Sequence, residues 1–208
     1  MKEIFINPIQ AIDVDSIIRD EKIYVIDNFY ENLDWLNEPD IFRKTAVNEN
    51  ESIYHLTPQL RYPLMEKITK IIPKGYFPTD TGWIRSTSDS PMRADASYLH
   101  ADHPYLVLSI CLSSPEIQED EEKYGTIFLK HKDFGFKKIQ EHHQSNTFKQ
   151  IFQAHRDTDE MWVPWFQDTF KKNRAIIYDG SLLHKMPSIS FGKQFSDNRL
   201  IQIFNFRM

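Results

Sequence analysis

Eight histidines give the chain several side chains that could bind a metal ion or transfer a proton near neutral pH. One of them, His100, stands two residues before Asp102. If this stretch is extended, residues two apart point to the same face, so both side chains could bind a single ion. The spacing therefore predicts two ligands of a metal site.

A third ligand is expected from a later strand, and His184 has the right setting. It follows a strand-like stretch, 174–178, and a turn at Asp179 and Gly180. With the earlier pair it would give two histidines and one carboxylate on one face of an ion, leaving positions open for other ligands. The alternative is a buried histidine whose ring is satisfied by a backbone carbonyl.

The same His-x-Asp spacing occurs at His155 and Asp157. That copy lies in a polar stretch with a helical pattern, and residues two apart on a helix do not face each other. We therefore predict that the second copy lies on the surface. His142 and His143 lie in a similar polar setting and are predicted to be solvated.

Arg199 opens the last predicted strand, fifteen residues after His184. Burying an arginine at the base of a core-facing strand is costly unless an anion accompanies it. A guanidinium pairs with a carboxylate through two parallel hydrogen bonds, which a lysine cannot do. Arg199 therefore predicts a carboxylate-binding position. The alternative is that it caps the strand in solvent beside Asp197.

Taken in order, His100-x-Asp102, His184 and Arg199 resemble the motifs of the Fe(II)/2-oxoglutarate-dependent dioxygenase superfamily, in its prolyl-hydroxylase-like branch. The resemblance covers roughly residues 22 to 206. Further similar segments are the first strand at 25–29, the glycine-containing strand at 125–128 and the strand pair at 173–184.

Two departures from the family pattern concern the pocket. The interval from His184 to Arg199 is longer than is usual in the family, which leaves Lys193 as an alternative anchor. Tyr124 and Gly125 stand where many relatives have two glycines.

The resemblance implies a hydroxylase of an amino acid, a peptidyl residue or a small metabolite. It implies that His100, Asp102 and His184 are the catalytic iron ligands. It also implies that Arg199 and Tyr98 bind the co-substrate 2-oxoglutarate, with ascorbate as a further candidate cofactor. An ordinary core tyrosine is the alternative for Tyr98.

Two sets of residues are candidates for contact with the substrate, each with a plainer alternative. Polar residues that could line the mouth, or lie on the surface, are Arg85, Arg93, His103 and His131. Aromatic residues that could form a lid, or part of the core, are Trp83, Trp162, Trp165 and Phe166.

Composition indicates a packed globular protein, and the resemblance implies a small-molecule or peptide substrate for it. The chain has 208 residues, of which 40% are hydrophobic and 13% aromatic, and this suits one domain over 1–208. The formal net charge of -5 argues against a nucleic-acid partner. A lone cysteine, Cys111, excludes an internal disulfide, and no stretch predicts a signal peptide or a membrane span. We therefore expect a cytoplasmic protein.

Hydrophobic patterning predicts a mainly β fold, a double-stranded β-helix of jelly-roll or cupin-like type with buttressing helices. Predicted helices cover 32–46 and 59–72, with a strand before them at 22–29. Later strands are predicted at 76–77, 82–85, 105–112, 125–129, 174–178 and 200–206. This gives a helical part over about 1–73 and a jelly-roll core over about 74–208, with a helical insertion at about 137–168.

Two other functions are compatible with this sequence. A catalytically silent cupin-like module could bind a metal or a small acid without turning over a substrate. An interaction module could use the segment 137–166 to bind another protein.

Overall fold

Antiparallel sheets dominate the structure, a computed structural model that describes residues 3–9, 12–46, 51–73, 75–80, 82–88, 99–102, 106–115, 121–139, 146–156, 158–186 and 190–207. The strands are β1 (Tyr24–Ile26), β2 (Phe42–Ala46), β3 (Glu51–Leu56), β4 (Phe77–Pro78), β5 (Trp83–Thr87), β6 (Leu106–Cys111), β7 (Ile127–His131), β8 (Trp162–Gln167), β9 (Ala175–Asp179), β10 (His184–Lys185) and β11 (Arg199–Arg207). The α-helices are α1 (Val14–Arg19), α2 (Pro58–Ile71), α3 (Glu121–Tyr124) and α4 (Asn146–His155).

The strands form a large sheet and a small one. The large sheet has the order β1-β9-β6-β11-β5-β3-β2, with β4 paired to the far end of β11. The small sheet has the order β10-β7-β8, and the segment 99–102 lies along β10 through a bridge between His100 and His184. From β5 to β11 the chain passes repeatedly between the two sheets. This is the predicted double-stranded β-helix, or jelly roll, and the prediction of the fold class is confirmed.

Strand β6 shows why the two faces of the large sheet differ in their neighbours. All six of its residues are buried, as expected for a central strand covered on both sides. Leu108 and Ile110 belong to the core beneath the helices, whereas Val107 and Cys111 belong to clusters on the other face. That second face carries Phe128 of the small sheet, so the space between the sheets starts here.

The N-terminal helices cover the outer face of the large sheet. In α2, Leu60, Leu64 and Ile68 are buried in the same core as Ile177 of β9, as the predicted stripe requires. Pro58 begins α2 at a position where its missing N–H costs nothing. Within the described ranges, no helix combines the length and the apolar character needed to cross a membrane.

The predicted helix at 32–46 is wrong over its second half. Two short 3-10 helices, Asp34–Asn37 and Pro39–Ile41, are followed directly by β2. Phe42 opens this strand and packs on Tyr54 and Phe195, with ring centroids 6.2 and 5.4 Å apart. Pairing with β3, which the sequence did not predict, outweighs the local helical pattern. The part before residue 73 therefore contributes strands to the large sheet as well as helices.

The predicted helical insertion at 137–168 is only partly helical. It contains α4 and a 3-10 helix, Asp159–Met161, but it ends in β8, which pairs with β7. Trp162 of β8 is buried beside Leu129 and Leu183. Trp165 and Phe166 pack against the cluster between the sheets that contains Phe128 and Tyr178. Trp162 is therefore part of the core, whereas Trp165 and Phe166 are half-buried at its edge, and a lid formed by them stays a prediction.

A pair of histidine rings joins α4 to the small sheet. The Nδ1 atom of the fully buried His131 accepts hydrogen bonds from the backbone N–H groups of Asp133 and Phe134. The proton of the neutral ring must then sit on Nε2, which donates to Nδ1 of His155 at 3.0 Å. Protonation of either ring would break hydrogen bonds of this pair, because an imidazolium has no nitrogen left that can accept. Burial, and then the neighbouring His155, lower the pKa of His131 below its usual value.

We expect acid to destabilise the fold through His131. Because its pKa is lowered in the folded state, the unfolded chain takes up a proton first as the pH falls below about 6.5. The free energy of unfolding should then decrease by up to about 1.4 kcal/mol per pH unit until the folded ring also titrates. Urea unfolding of the wild type and His131→Asn at pH 7.5 and 5.5 measures this effect. The stability difference between them should shrink at pH 5.5, and a constant difference would contradict the assignment.

Candidate metal centre

Backbone hydrogen bonds fix the two predicted histidine ligands opposite each other. The N–H of His100 donates to the carbonyl of His184, and the reverse bond has the same length, 2.9 Å. Such a reciprocal pair puts both side chains on the same face of the sheet. The N–H of Asp102 donates to the carbonyl of Gly180 at 2.7 Å, which keeps the segment extended. The carboxylate therefore shares the face of the two rings, as the spacing predicts.

The three side chains converge on one point. Nε2 of His100 lies 3.8 Å from Oδ1 of Asp102, and Nε2 of His184 lies 3.4 Å from Oδ2. One ligand atom from each residue lies within 4.8 Å of the others. Two imidazole nitrogens and one carboxylate oxygen are a donor set suited to a divalent transition metal. The structure brings the three residues together as predicted, and their binding of a metal stays a prediction.

The ring of His184 is held in the tautomer that a metal ligand needs. Its Nδ1 lies 2.8 Å from the carbonyl oxygen of Leu182, which can only accept, so Nδ1 carries the proton. Nε2 is left with its lone pair directed at the carboxylate of Asp102. His184 can therefore be both a buried histidine with a carbonyl partner and a metal ligand, because the two roles use different nitrogens of its ring.

Asp102 is held as a carboxylate. Burial opposes ionisation of this group, but the contacts with His184, then His100, outweigh it, and Nε2 of His184 donates to the carboxylate whenever that nitrogen carries a proton. The net result is that the pKa of Asp102 lies below its usual value. An ionised carboxylate beside two imidazoles is the protonation state in which a metal can bind.

Arg199 is buried between the sheets, with 1% of its surface exposed. Its Nε and Nη2 donate to the carbonyl oxygen of Tyr124 at 3.2 and 3.0 Å, and its guanidinium lies 4.7 Å from the ring centroid of Phe170. No carboxylate of the described residues forms an ion pair with it. Burial lowers the pKa of Arg199 to about 10, so it still carries its charge at neutral pH. A buried cation with neutral partners is a strong site for an anion.

The burial of Arg199 decides against its predicted alternatives. A solvent-exposed cap beside Asp197 does not occur, because Asp197 instead accepts from the backbone N–H groups of Lys193 and Gln194. Lys193 is exposed, so its ammonium group lacks the desolvated setting of Arg199. Of these two residues only Arg199 is desolvated, and its binding of an anion stays a prediction.

Gly125 follows Tyr124, whose carbonyl accepts hydrogen bonds from Arg199, and it lets the backbone at this point pack closely against Asp168. A Cβ atom at this position would lie 1.7 Å from the carbonyl oxygen of Asp168. Asp168 is itself buried, and that burial raises its pKa to about 6 despite Arg174 at 3.7 Å. The single glycine after Tyr124 is thus required by a close backbone approach, and a second glycine is not.

The other predicted site residues fall into two groups. Tyr98, Arg93 and His103 lie outside the described residues. Arg85 lies in the space between the sheets, where its Nε is 2.7 Å from a carboxylate oxygen of Glu51 and its Nη1 is 3.7 Å from the sulfur of Met186. Met186 follows His184 by two residues, so Arg85 remains a candidate for contact with the substrate. His131 is not at the mouth, because it is buried against α4.

One residue near the ligands was not predicted to have a role. Tyr178 of β9 lies beside His184, and its hydroxyl lies 3.5 Å from Oδ2 of Asp102. The sequence placed it in a strand without indicating which face it would occupy. An alternating pattern would have shown this, but every residue of β9 before Asp179 is buried.

A groove of about 1110 Å³ lies away from these residues. It includes Phe42, Tyr54 and Leu200, which belong to the core on the helix-covered side of the large sheet. It contains none of the candidate metal ligands, so we do not assign the site to it.

Comparison with known proteins gives a result at the level of structure. No protein-family model matches the chain, and no curated protein matches it in sequence. A solved structure of HygX from Streptomyces hygroscopicus with nickel and 2-oxoglutarate has a TM-score of 0.50 at 12% identity, over 94% of this chain and 87% of that one. A second HygX structure, with nickel, 2-oxoglutarate and hygromycin B, has a TM-score of 0.52 at 12% identity, over 94% and 86%.

The chain therefore shares its jelly-roll fold with the HygX structures. At 12% identity the likeness concerns the fold, and the chemistry of this chain rests on its own residues. Those residues offer a cluster of metal-binding donors, and a buried arginine that the described carboxylates leave without an ion pair.

We expect Gly125→Ala to disturb the Arg199 pocket. Because the new methyl group meets backbone rather than a flexible side chain, the free energy of unfolding should fall by about 1–3 kcal/mol or more. Gly135→Ala is the control, since its Cβ meets nothing within 4 Å and only its positive φ adds strain, roughly 1–2 kcal/mol. Urea unfolding compares the two. A loss at Gly125 smaller than that at Gly135 would show that the close approach is not tight.

Proposed function

We propose that the protein is an Fe(II)- and 2-oxoglutarate-dependent oxygenase, a hydroxylase of the prolyl-hydroxylase-like branch. The observation that carries the proposal is the convergence of His100, Asp102 and His184, with donor atoms within 4.8 Å, inside a jelly roll. The HygX structures, which share the fold, contain nickel and 2-oxoglutarate, and this supports the same pair of ligands here.

The donor set suits iron for a specific reason. Two histidines and one carboxylate would leave half of the coordination positions of an octahedral ion free for other ligands, as non-haem Fe(II) oxygenases require. When bound, iron would supply oxygen activation coupled to the oxidative decarboxylation of 2-oxoglutarate, yielding succinate, carbon dioxide and a hydroxylated product. The protein would contribute the geometry and the charge.

Arg199 is the proposed anchor for the distal carboxylate of 2-oxoglutarate. Its guanidinium is desolvated, so an anion beside it interacts more strongly than it would in water. The carbonyl of Tyr124 holds two of its N–H groups, which fixes the orientation of the planar fork. By resemblance, Tyr98 would add a hydrogen bond to the same co-substrate.

Apolar side chains pack around the buried polar groups of the site, which are His184, Tyr178 and Arg199. Phe128 packs against the rings of His184 and Tyr178, and Cys111 and Ile201 line the space near Arg199. His100 and Asp102 keep part of their side-chain surface exposed, so this side of the site is open to a substrate. We propose an amino acid, a peptidyl residue or a small metabolite as the substrate, in the reducing setting of the cytoplasm.

The test of this function needs no knowledge of the substrate. Fe(II) and 2-oxoglutarate are added to the metal-free protein without oxygen, and the weak visible charge-transfer band of a chelated 2-oxo acid is followed. Asp102→Ala should abolish the band. Arg199→Met should require roughly 10–100-fold more 2-oxoglutarate, because it removes charged hydrogen bonds worth about 1.5–3 kcal/mol.

Arg85→Met is the matched control, since it removes another described arginine that faces the space between the sheets. It should leave the 2-oxoglutarate dependence of the band within about twofold of the wild type, well under 1 kcal/mol. A loss of affinity in this variant instead of Arg199→Met would move the anchor to Arg85. Iron binding without a band in the wild type would exclude the oxygenase and favour a silent metal-binding module.

A further inference from the structure

Tyr178 connects the large sheet to the candidate metal ligands. It lies on β9, opposite Val107 of β6, and faces the space between the sheets. Only 4% of the surface of Tyr178 is exposed. Its hydroxyl lies 3.5 Å from Oδ2 of Asp102, which is its hydrogen-bond acceptor among the described residues.

The ring of the same tyrosine contacts a second ligand. It packs edge-on against the imidazole of His184, with centroids 5.4 Å apart and an interplanar angle of 71°. Phe128 packs edge-on against it from another side at 5.0 Å, which restricts the ring in turn. One buried side chain therefore touches two of the three candidate ligands.

The backbone that carries Tyr178 reinforces this connection. Two residues later, the carbonyl of Gly180 accepts the hydrogen bond from the N–H of Asp102. Both ends of the Asp102 residue, its amide and its carboxylate, are thus directed by the end of β9 and the turn after it. A shift of β9 would move the carboxylate relative to the histidines.

The hydroxyl has an energetic reason to stay at this carboxylate. A buried hydroxyl without an acceptor costs about 1–3 kcal/mol. Burial first, and then the charge of Asp102, raise the pKa of Tyr178 well above its usual value, so the group remains a donor. The separation of 3.5 Å exceeds the usual O–H···O distance of roughly 2.5–3.0 Å. The hydroxyl is therefore within reach of the carboxylate and can tighten its contact when a metal orders the carboxylate.

We propose that Tyr178 is a positioning residue for the metal: its ring packs against His184 and its hydroxyl lies within reach of Oδ2 of Asp102, so it orients both ligands as the ion binds. This proposal rests on the metal site in the proposed function. A donor on Oδ2 leaves the other oxygen of the carboxylate as the better metal ligand. Binding through one oxygen keeps the remaining positions of the ion available to other ligands.

Cobalt(II) binding to the metal-free protein tests the proposal without any catalytic turnover. Tyr178→Phe keeps the ring and its packing and deletes only the hydroxyl. Loss of such a supporting contact typically weakens metal affinity by about 10–100-fold. We expect the Co(II) dissociation constant of Tyr178→Phe to rise into that range, with a change in the visible Co(II) spectrum that reports altered carboxylate coordination.

Tyr30→Phe is the matched control. Tyr30 is also fully buried, and its hydroxyl donates to Oε1 of Gln202 at 2.7 Å, in the core beneath the helices. Deleting this hydroxyl should lower the free energy of unfolding, measured without metal, yet leave Co(II) affinity and the spectrum as in the wild type. The pair of variants thus separates positioning of the carboxylate from general loss of stability.

Each outcome has a distinct meaning. Unchanged Co(II) affinity in Tyr178→Phe overturns the proposal while leaving the metal site intact. Equal weakening in both tyrosine variants also overturns it, because the effect would then follow stability alone. If the wild type fails to bind Co(II), or if Asp102→Ala binds it equally well, the proposed function fails together with this inference.

Discussion

The reciprocal backbone hydrogen bonds between His100 and His184 are the interaction on which the candidate site depends. They join two segments far apart in sequence, and they do so through main-chain atoms that any residue would supply. Side-chain identity then decides what this pairing presents: two imidazoles side by side, and a carboxylate two residues along. The jelly roll is what brings the segments together, since 99–102 lies beside β10 through an isolated bridge although β6 to β9 intervene in sequence.

A second constraint is electrostatic. Arg199 is a cation in the interior, held by a backbone carbonyl and an aromatic ring, with no ion-paired carboxylate among the described residues. Such a group is costly to the folded state unless an anion accompanies it. The buried charge therefore lowers the stability of the fold, and an anion bound beside it would restore part of that stability. Gly125 and the backbone of Asp168 keep the acceptor of Arg199 in place by their close approach.

Sequence patterns predicted the elements that have strong periodicity and the ligands that have diagnostic spacing. The stripe of α2, the buried strands β6 and β11 and the convergence of His100, Asp102 and His184 all follow from them. The patterns failed for β2 and β8, whose residues take their conformation from pairing with β3 and β7. They also gave no orientation for Tyr178, because a strand buried on both faces does not alternate. Local propensity specifies an element only where tertiary pairing does not compete with it.

The position of β11 has a consequence for how the chain is made. It comes last among the strands, yet it lies in the middle of the large sheet, between β6 and β5. During synthesis, the edges of β6 and β5 that pair with β11 stay unpaired until β11 has been made. Pairings between segments distant in sequence also form slowly. Arg199 arrives on this same strand. The centre of the large sheet and the buried Arg199 are therefore both supplied by the same late segment of the chain, so an unfinished chain would have neither.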